Sequence, residues 1–181
     1  MTPDRTTVFV AHTANISGAE KMLLSLVSEA LRGEGGVTVV CPVGALSEAL
    51  PDAAVHVAIP ELGLGGEHGV ARVGAAARMA ARGVSAARTL REVTRRPATR
   101  TVVNSLFALP AARLARPPHG VAWLVHDAIA AGRQRAVASA SRRVVRRAVA
   151  CTSAAAAPVR DLGIEAKIVP YGVPWPVENF G

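Results

Sequence analysis

The sequence has few aromatic residues, two cysteines and no long uninterrupted apolar run. Phe, Trp and Tyr make up 3% of its 181 residues, so few side chains could stack on bases, and nucleic acid is not an expected partner. Cys41 and Cys151 are far apart and fit no metal spacing, which predicts two buried thiols in a reducing compartment. No apolar stretch approaches ~20 residues and the N-terminal one is too short for a signal peptide, so we expect a cytoplasmic protein.

The signatures of several enzyme classes are also missing. The first predicted strand is not followed by G-x-G-x-x-G, which argues against a nicotinamide-dependent oxidoreductase. The sequence shows neither a carboxylate pair nor a Ser/His/Asp order typical of hydrolases, and it has no His/Cys cluster for zinc. We therefore expect no metal and no cofactor.

Hydrophobic residues and positive charge are abundant. Hydrophobic residues make up 50% of the chain, enough for the core of one domain. The formal net charge of +8 favours anionic partners such as phosphates or acidic lipid surfaces. A solvated, arginine-rich surface is an equally good explanation of the same charge.

Short apolar runs alternate with longer helical patterns along the chain. Runs such as Thr7–Ala11 and Val121–Val125 are apolar on both faces, with Thr7 the one polar residue, which is typical of strands buried on both faces. The pattern predicts an α/β fold with a doubly wound, Rossmann-like parallel sheet and helices on both faces. We assign residues 1–170 to this domain and residues 171–181, which are rich in proline and glycine, to a linker.

Ligands bind such sheets at the carboxyl ends of the strands, where three pairs of residues stand out. Ser17–Gly18 open the first predicted helix, whose N–H groups could face a phosphate, or simply form a capped helix start. His126–Asp127 follow the fifth predicted strand and could bind a sugar hydroxyl or phosphate, or cap a loop. Asn104–Ser105 follow the fourth and could bind sugar hydroxyls or start a turn.

A cluster of arginines lies in the segment predicted to be a helix over Arg133–Arg147. Helical spacing would place its members on one cationic stripe. The stripe could rest on anionic lipid head groups at the inner membrane face, or be an ordinary solvated surface. Its members are Arg142, Arg143, Arg146 and Arg147. The next strand is predicted at Val149–Thr152.

The order of four stretches resembles the N-terminal half of retaining GT-B glycosyltransferases of family 4. They are SGAEK at the first helix, VHD after the fifth strand, RRVVRRAVACTS, and DLGIEAKIVPYGVP near the end. The resemblance covers nearly the whole chain. Ser17 stands where the family has a first glycine, Tyr171 where Asn is usual, and Pro174 where Asp is common.

The resemblance implies a function as well as a fold. It implies transfer of a sugar, with retention, from a nucleoside-diphosphate sugar to an acceptor hydroxyl, without a metal. Ser17 and Gly18 match the loop that approaches the donor phosphates, His126 matches a histidine beside the transferred sugar, and Asp127 follows it in the same motif. The family's C-terminal domain, which holds the nucleotide, does not match any part of this sequence, so the chain alone is expected to be inactive. A stand-alone module that binds a ligand or partner subunit without chemistry is the alternative, and the acceptor, donor and oligomeric state stay open.

Overall fold

A computed structural model describes residues 5–33, 35–62, 71–96, 98–126, 129–130 and 132–170. The described residues form seven strands and six α-helices in alternation. The strands are β1 (Thr6–Val10), β2 (Gly36–Cys41), β3 (Val55–Ala58), β4 (Thr99–Val103), β5 (Val121–Val125), β6 (Val145–Ala150) and β7 (Ala166–Ile168). The helices are α1 (Gly18–Leu31), α2 (Ala45–Glu48), α3 (Ala71–Val93), α4 (Leu109–Ala115), α5 (Arg133–Ser141) and α6 (Ser153–Arg160), and a 3₁₀ helix, Leu106–Ala108, precedes α4.

The seven strands form one parallel sheet in the order β3-β2-β1-β4-β5-β6-β7. The order reverses between β1 and β4, which are paired from Thr6↔Thr99 to Val10↔Val103. Chain segments leaving two such strands run in opposite directions, so a crevice opens beyond their carboxyl ends. The topology therefore sets the most favourable ligand position before any side chain is considered.

Helices cover both faces of the sheet, because successive strand residues point to opposite sides. Val8 and Val10 of β1 belong to a core shared with α3, α4, α5 and α6, whereas Phe9 packs with α1 and α2. The alternation of apolar residues within single strands thus builds two cores. This confirms the predicted doubly wound α/β, Rossmann-like fold.

The predicted helix Arg133–Arg147 is wrong in its second half. Helix α5 ends at Ser141, a turn follows, and β6 begins at Val145, four residues before the predicted strand. The β-branched Val144 and Val145 are poor helix formers and pair well in a sheet. Pairing with β5 outweighs the helical spacing of the arginines, and the predicted stripe of Arg142, Arg143, Arg146 and Arg147 on one helix does not exist.

The two cysteines differ in their surroundings. Cys41 is fully buried in β2, as predicted, and burial raises the pKa of its thiol to about 11. Cys151 is only partly buried, so the prediction was wrong for this residue, and its Sγ donates to the backbone oxygen of His126 at 3.4 Å. Among the described residues, no helix combines the length and apolarity needed to span a bilayer.

Candidate functional site

A cleft of about 310 Å³ opens beyond the carboxyl ends of β1, β4 and β5. This volume lies at the lower end of the range for small-molecule sites, roughly 300–1,000 Å³. One part of the wall is polar and the other apolar. The polar part includes His12, Ser17, Glu20, Asn104, Ser105 and His126, and the apolar part Leu106, Phe107, Trp123 and Ile129.

The start of α1 forms one wall of the cleft. Glu20 in the first turn is 2% exposed, and its carboxylate accepts hydrogen bonds from the backbone N and the Oγ of Ser17, at 3.2 and 2.5 Å. This contact satisfies the acid and holds the loop against the helix. The first N–H groups of a helix have no acceptor within the helix and carry its positive dipole end, so this wall suits an anionic group.

The loop before α1 is anchored to neighbouring segments. Leu46 N, in α2, donates to the backbone oxygen of Ala14 at 2.8 Å, and Thr13 Oγ1 donates to Glu61 at 3.2 Å. Gly44 has a φ of +150°, and a Cβ added to it would lie 2.9 Å from the Cβ of Ala14. Only glycine allows α2 to approach the loop this closely.

A chain of hydrogen bonds crosses the switch point from α1 to β5. Asn104, 1% exposed, donates through Nδ2 to the backbone oxygen of Ala19 at 3.3 Å, and its Oδ1 lies 2.8 Å from Nε2 of His126. A backbone oxygen can only accept, which fixes the orientation of the amide. Nε2 of His126 must therefore carry a proton and donate to Asn104. Asn104 thereby holds the imidazole in the wall of the cleft.

Ser105 begins the 3₁₀ helix that forms the opposite wall. Its Oγ accepts from the backbone N of Phe107 at 3.1 Å, so the serine caps the turn. The cap places the ring of Phe107 5.4 Å from the ring of His12, measured between centroids. The turn proposed for Ser105 from the sequence is present, and the residue also lines the cleft.

Two buried nitrogen atoms in the cleft wall have no hydrogen-bond partner among the described residues, Nδ1 of His12 and Nε1 of Trp123. Unsatisfied buried donors and acceptors are rare in folded proteins and call for an explanation. Burial lowers the pKa of His12, and Glu20 and Glu61 oppose this by favouring the charged ring. The net direction of the pKa is downward, so the environment favours the neutral ring of His12.

A pH titration followed by NMR is expected to give His12 a pKa below the ordinary value of a histidine. Glu20→Gln should lower it further, because the substitution removes a carboxylate that raises it. Since the folded state disfavours the charged ring, the free energy of unfolding should fall as the pH drops through the pKa of the unfolded chain and below. A His12 pKa above that of an unfolded peptide would contradict the assignment.

The structure brings together most of the cleft residues predicted from the sequence. Ser17, Asn104, Ser105 and His126 all line the cleft, and Gly18 is exposed at the first position of α1. Asp127 lies outside the described residues. Two residues of the cleft wall were not predicted from the sequence, the buried Glu20 that anchors the loop and Trp123. For Glu20 a signal was present, because an acid three residues after a serine is typical of a capped helix. No cluster of three or more His, Cys, Asp or Glu residues suited to a metal ion occurs in the described part of the chain.

Comparison with known proteins gives a structural likeness without a sequence family. No family model and no curated protein matches the chain. Among solved structures, Anabaena HepE in complex with UDP and glucose has a TM-score of 0.65 with this chain, at 14% sequence identity. The match covers 93% of this chain and 45% of the HepE chain, so the present chain spans less than half of that protein. At this identity the likeness concerns the fold.

Proposed function

We propose that the chain is the acceptor-side domain of a GT-B glycosyltransferase of family 4. The enzyme transfers a sugar from a nucleoside-diphosphate sugar to an acceptor hydroxyl, with retention of the anomeric configuration. The observation that carries the proposal is the cleft at the strand-order switch, where His126 and the start of α1 line one cavity. The likeness of the fold to a protein that binds UDP and glucose supports it.

The two walls suit different parts of such a reaction. The N-terminus of α1 offers backbone N–H groups and a positive dipole end to the departing diphosphate, a form of electrostatic catalysis that needs no metal. Ser17 and Gly18 lie at this end. Apart from its chain neighbours and the nearby backbone of its own helix, a Cβ on Gly18 would meet no described residue within 4 Å, so we attribute the glycine to the approach of a ligand.

The roles of the polar residues beyond α1 follow from their bonds. His126 contacts hydroxyls of the transferred sugar, and Asn104 orients its ring through the 2.8 Å contact with Nε2. Asp127 acts with His126 as its neighbour in the same motif. Asn104 is a positioning residue, because both ends of its amide are engaged by the protein.

The proposal assigns the nucleotide to a second domain that follows residues 171–181, which serve as the hinge. Residues 1–170 then bind acceptor or donor weakly and do not catalyse transfer alone. In this proposal the second domain selects the donor sugar and the base. The domain works in the cytoplasm.

Transfer from a radiolabelled nucleoside-diphosphate hexose tests the proposal. The protein with its second domain should release nucleoside diphosphate and transfer the labelled hexose to an acceptor, or to water as free hexose, whereas the 181-residue chain alone should do neither. Turnover by the chain alone, or tight binding of UDP-glucose to it in calorimetry, would contradict the assignment. Binding without turnover by the longer protein would favour a ligand-binding module instead.

A further inference from the structure

A groove of about 750 Å³ lies at the end of the sheet opposite to the cleft. Its wall includes the amino-terminal parts of β4 and β6 and the residues that enter β5. Three exposed arginines line it, Arg100 from β4 and Arg146 and Arg147 from β6. Two of these belong to the arginine cluster for which the predicted helix was wrong.

The register of the strands places Arg100 and Arg147 on the same face. Arg100 shares a face with Val102, which is two residues further along β4 and opposite Ala122. Ala122 is in turn opposite Arg147 of β6. Neighbouring strands lie roughly 4.8 Å apart, so both guanidinium groups can reach the space above β5.

A bulge adds the third arginine. Val121 is opposite Val145 and Ala122 is opposite Arg147, so Arg146 is an extra residue in β6. In a regular strand, one of two adjacent arginines would point into a core. The bulge changes the direction of one side chain, and both are exposed between the buried Val145 and Ala148.

Gly120 allows the strands to approach at this point. Its φ is +68°, and a Cβ added to it would lie 2.6 Å from both Cγ of Arg146 and the backbone oxygen of Val144. A larger residue would displace the arginine from the groove. The local backbone therefore brings Arg146 close to the entry of β5.

The groove carries uncompensated positive charge. Among the described residues, none of Arg100, Arg146 and Arg147 forms an ion pair with a carboxylate. Like charges that converge on one concavity repel one another, and an anion with several oxygens relieves the repulsion. The planar guanidinium group binds phosphate oxygens through two parallel hydrogen bonds.

We propose that this groove binds a phosphate-bearing anion, at a site separate from the cleft. The shared chemistry is a phosphate group with at least two free oxygens, held by the three arginines. Its source is either a soluble diphosphate or the head group of an anionic phospholipid. The site does not depend on the function proposed for the cleft.

The test compares two triple variants of the protein that lose the same charge. The groove variant is Arg100→Gln, Arg146→Gln and Arg147→Gln; the control is Arg82→Gln, Arg88→Gln and Arg113→Gln, at exposed positions away from the groove. Inorganic pyrophosphate is titrated into each, with amide shifts recorded by NMR. In the parent protein, pyrophosphate is expected to shift the amide signals of Gly120, Arg146 and Arg147. The affinity for pyrophosphate should fall about tenfold or more in the groove variant and stay within about twofold of the parent in the control.

Vesicles separate the two sources of phosphate. Co-sedimentation with phosphatidylglycerol vesicles but not with phosphatidylcholine vesicles, lost in the groove variant and kept in the control, supports a lipid head group. Groove shifts with pyrophosphate and no vesicle binding support a soluble ligand. Equal losses in both triple variants, or no binding in either arm, would overturn the proposal, and His126→Ala should leave the groove shifts unchanged.

Discussion

Replacing His126 by alanine is expected, under the proposed function, to reduce sugar transfer by the two-domain protein by about 100-fold or more, since the loss of one positioned polar group at a reacting centre has effects of this order. If the ring contacts the transferred sugar as proposed, those contacts strengthen in the transition state, and the loss should appear mainly in kcat. The fold should be largely unaffected, because the ring is only partly buried and lines the cleft. Steady-state kinetics with a nucleoside-diphosphate sugar measures the effect.

The matched control for this variant is His56→Gln. His56 is a partly buried histidine in β3, and its Nε2 contacts the backbone oxygen of Cys41 at 3.1 Å, outside the cleft. Its replacement should leave kcat within about twofold of the parent, as for most substitutions remote from a site. Equal losses of activity in both variants would show that the effect of His126→Ala is structural.

Trp123→Ala is expected to lower the free energy of unfolding by about 3–5 kcal/mol, the usual cost of removing a large aromatic core residue. Trp123 is 1% exposed and packs in the larger of the two cores, so the deletion leaves a void. A loss of this size is a large fraction of the total for an ordinary domain. Urea denaturation followed by circular dichroism measures it.

Trp123→Phe distinguishes the contribution of ring packing to stability from that of the indole N–H group. Phenylalanine keeps most of the packing and removes Nε1, which has no hydrogen-bond partner in the part of the chain that the structure describes. The expected cost is therefore well below that of alanine, about 1 kcal/mol, because no hydrogen bond is lost. A cost as large as that of alanine would mean that the N–H group is satisfied in solution, by a water molecule or a rearranged neighbour.

The fold could be predicted because its determinants are local in the sequence. Val121–Val125 is a run of five apolar residues, and β5 has these bounds in the structure. The carboxyl ends of such strands were enough to point to Ser17, Asn104 and His126. Once the strands are known to alternate with helices in a parallel sheet, the topology gives the position of the cleft.

The contacts inside the cleft could not be predicted in the same way. The bond between Asn104 and His126 joins residues 22 positions apart and depends on the adjacency of β4 and β5. Glu20 belongs to the SGAEK stretch at the helix start, but its burial depends on how the preceding loop folds over it. These features are set by tertiary packing.

The arginine cluster shows how a local pattern can mislead. Arg142 and Arg146 are four residues apart, which fits one face of a helix. Val145 is nevertheless opposite Val121, and the pairing of β6 with β5 and β7 gains more than a helical turn of charged residues would. The bulge that exposes Arg146 has no signature in the sequence.

The most direct test is an NMR titration of the 181-residue chain with UDP-glucose at millimolar concentration, because weak binding is expected of this domain. The cleft assignment requires amide shifts at the start of α1, at Asn104–Phe107 and at His126. Saturation should be incomplete, and His126→Ala should reduce the shifts. A ligand that perturbs only the opposite end of the sheet, or no amide at all, would contradict the account.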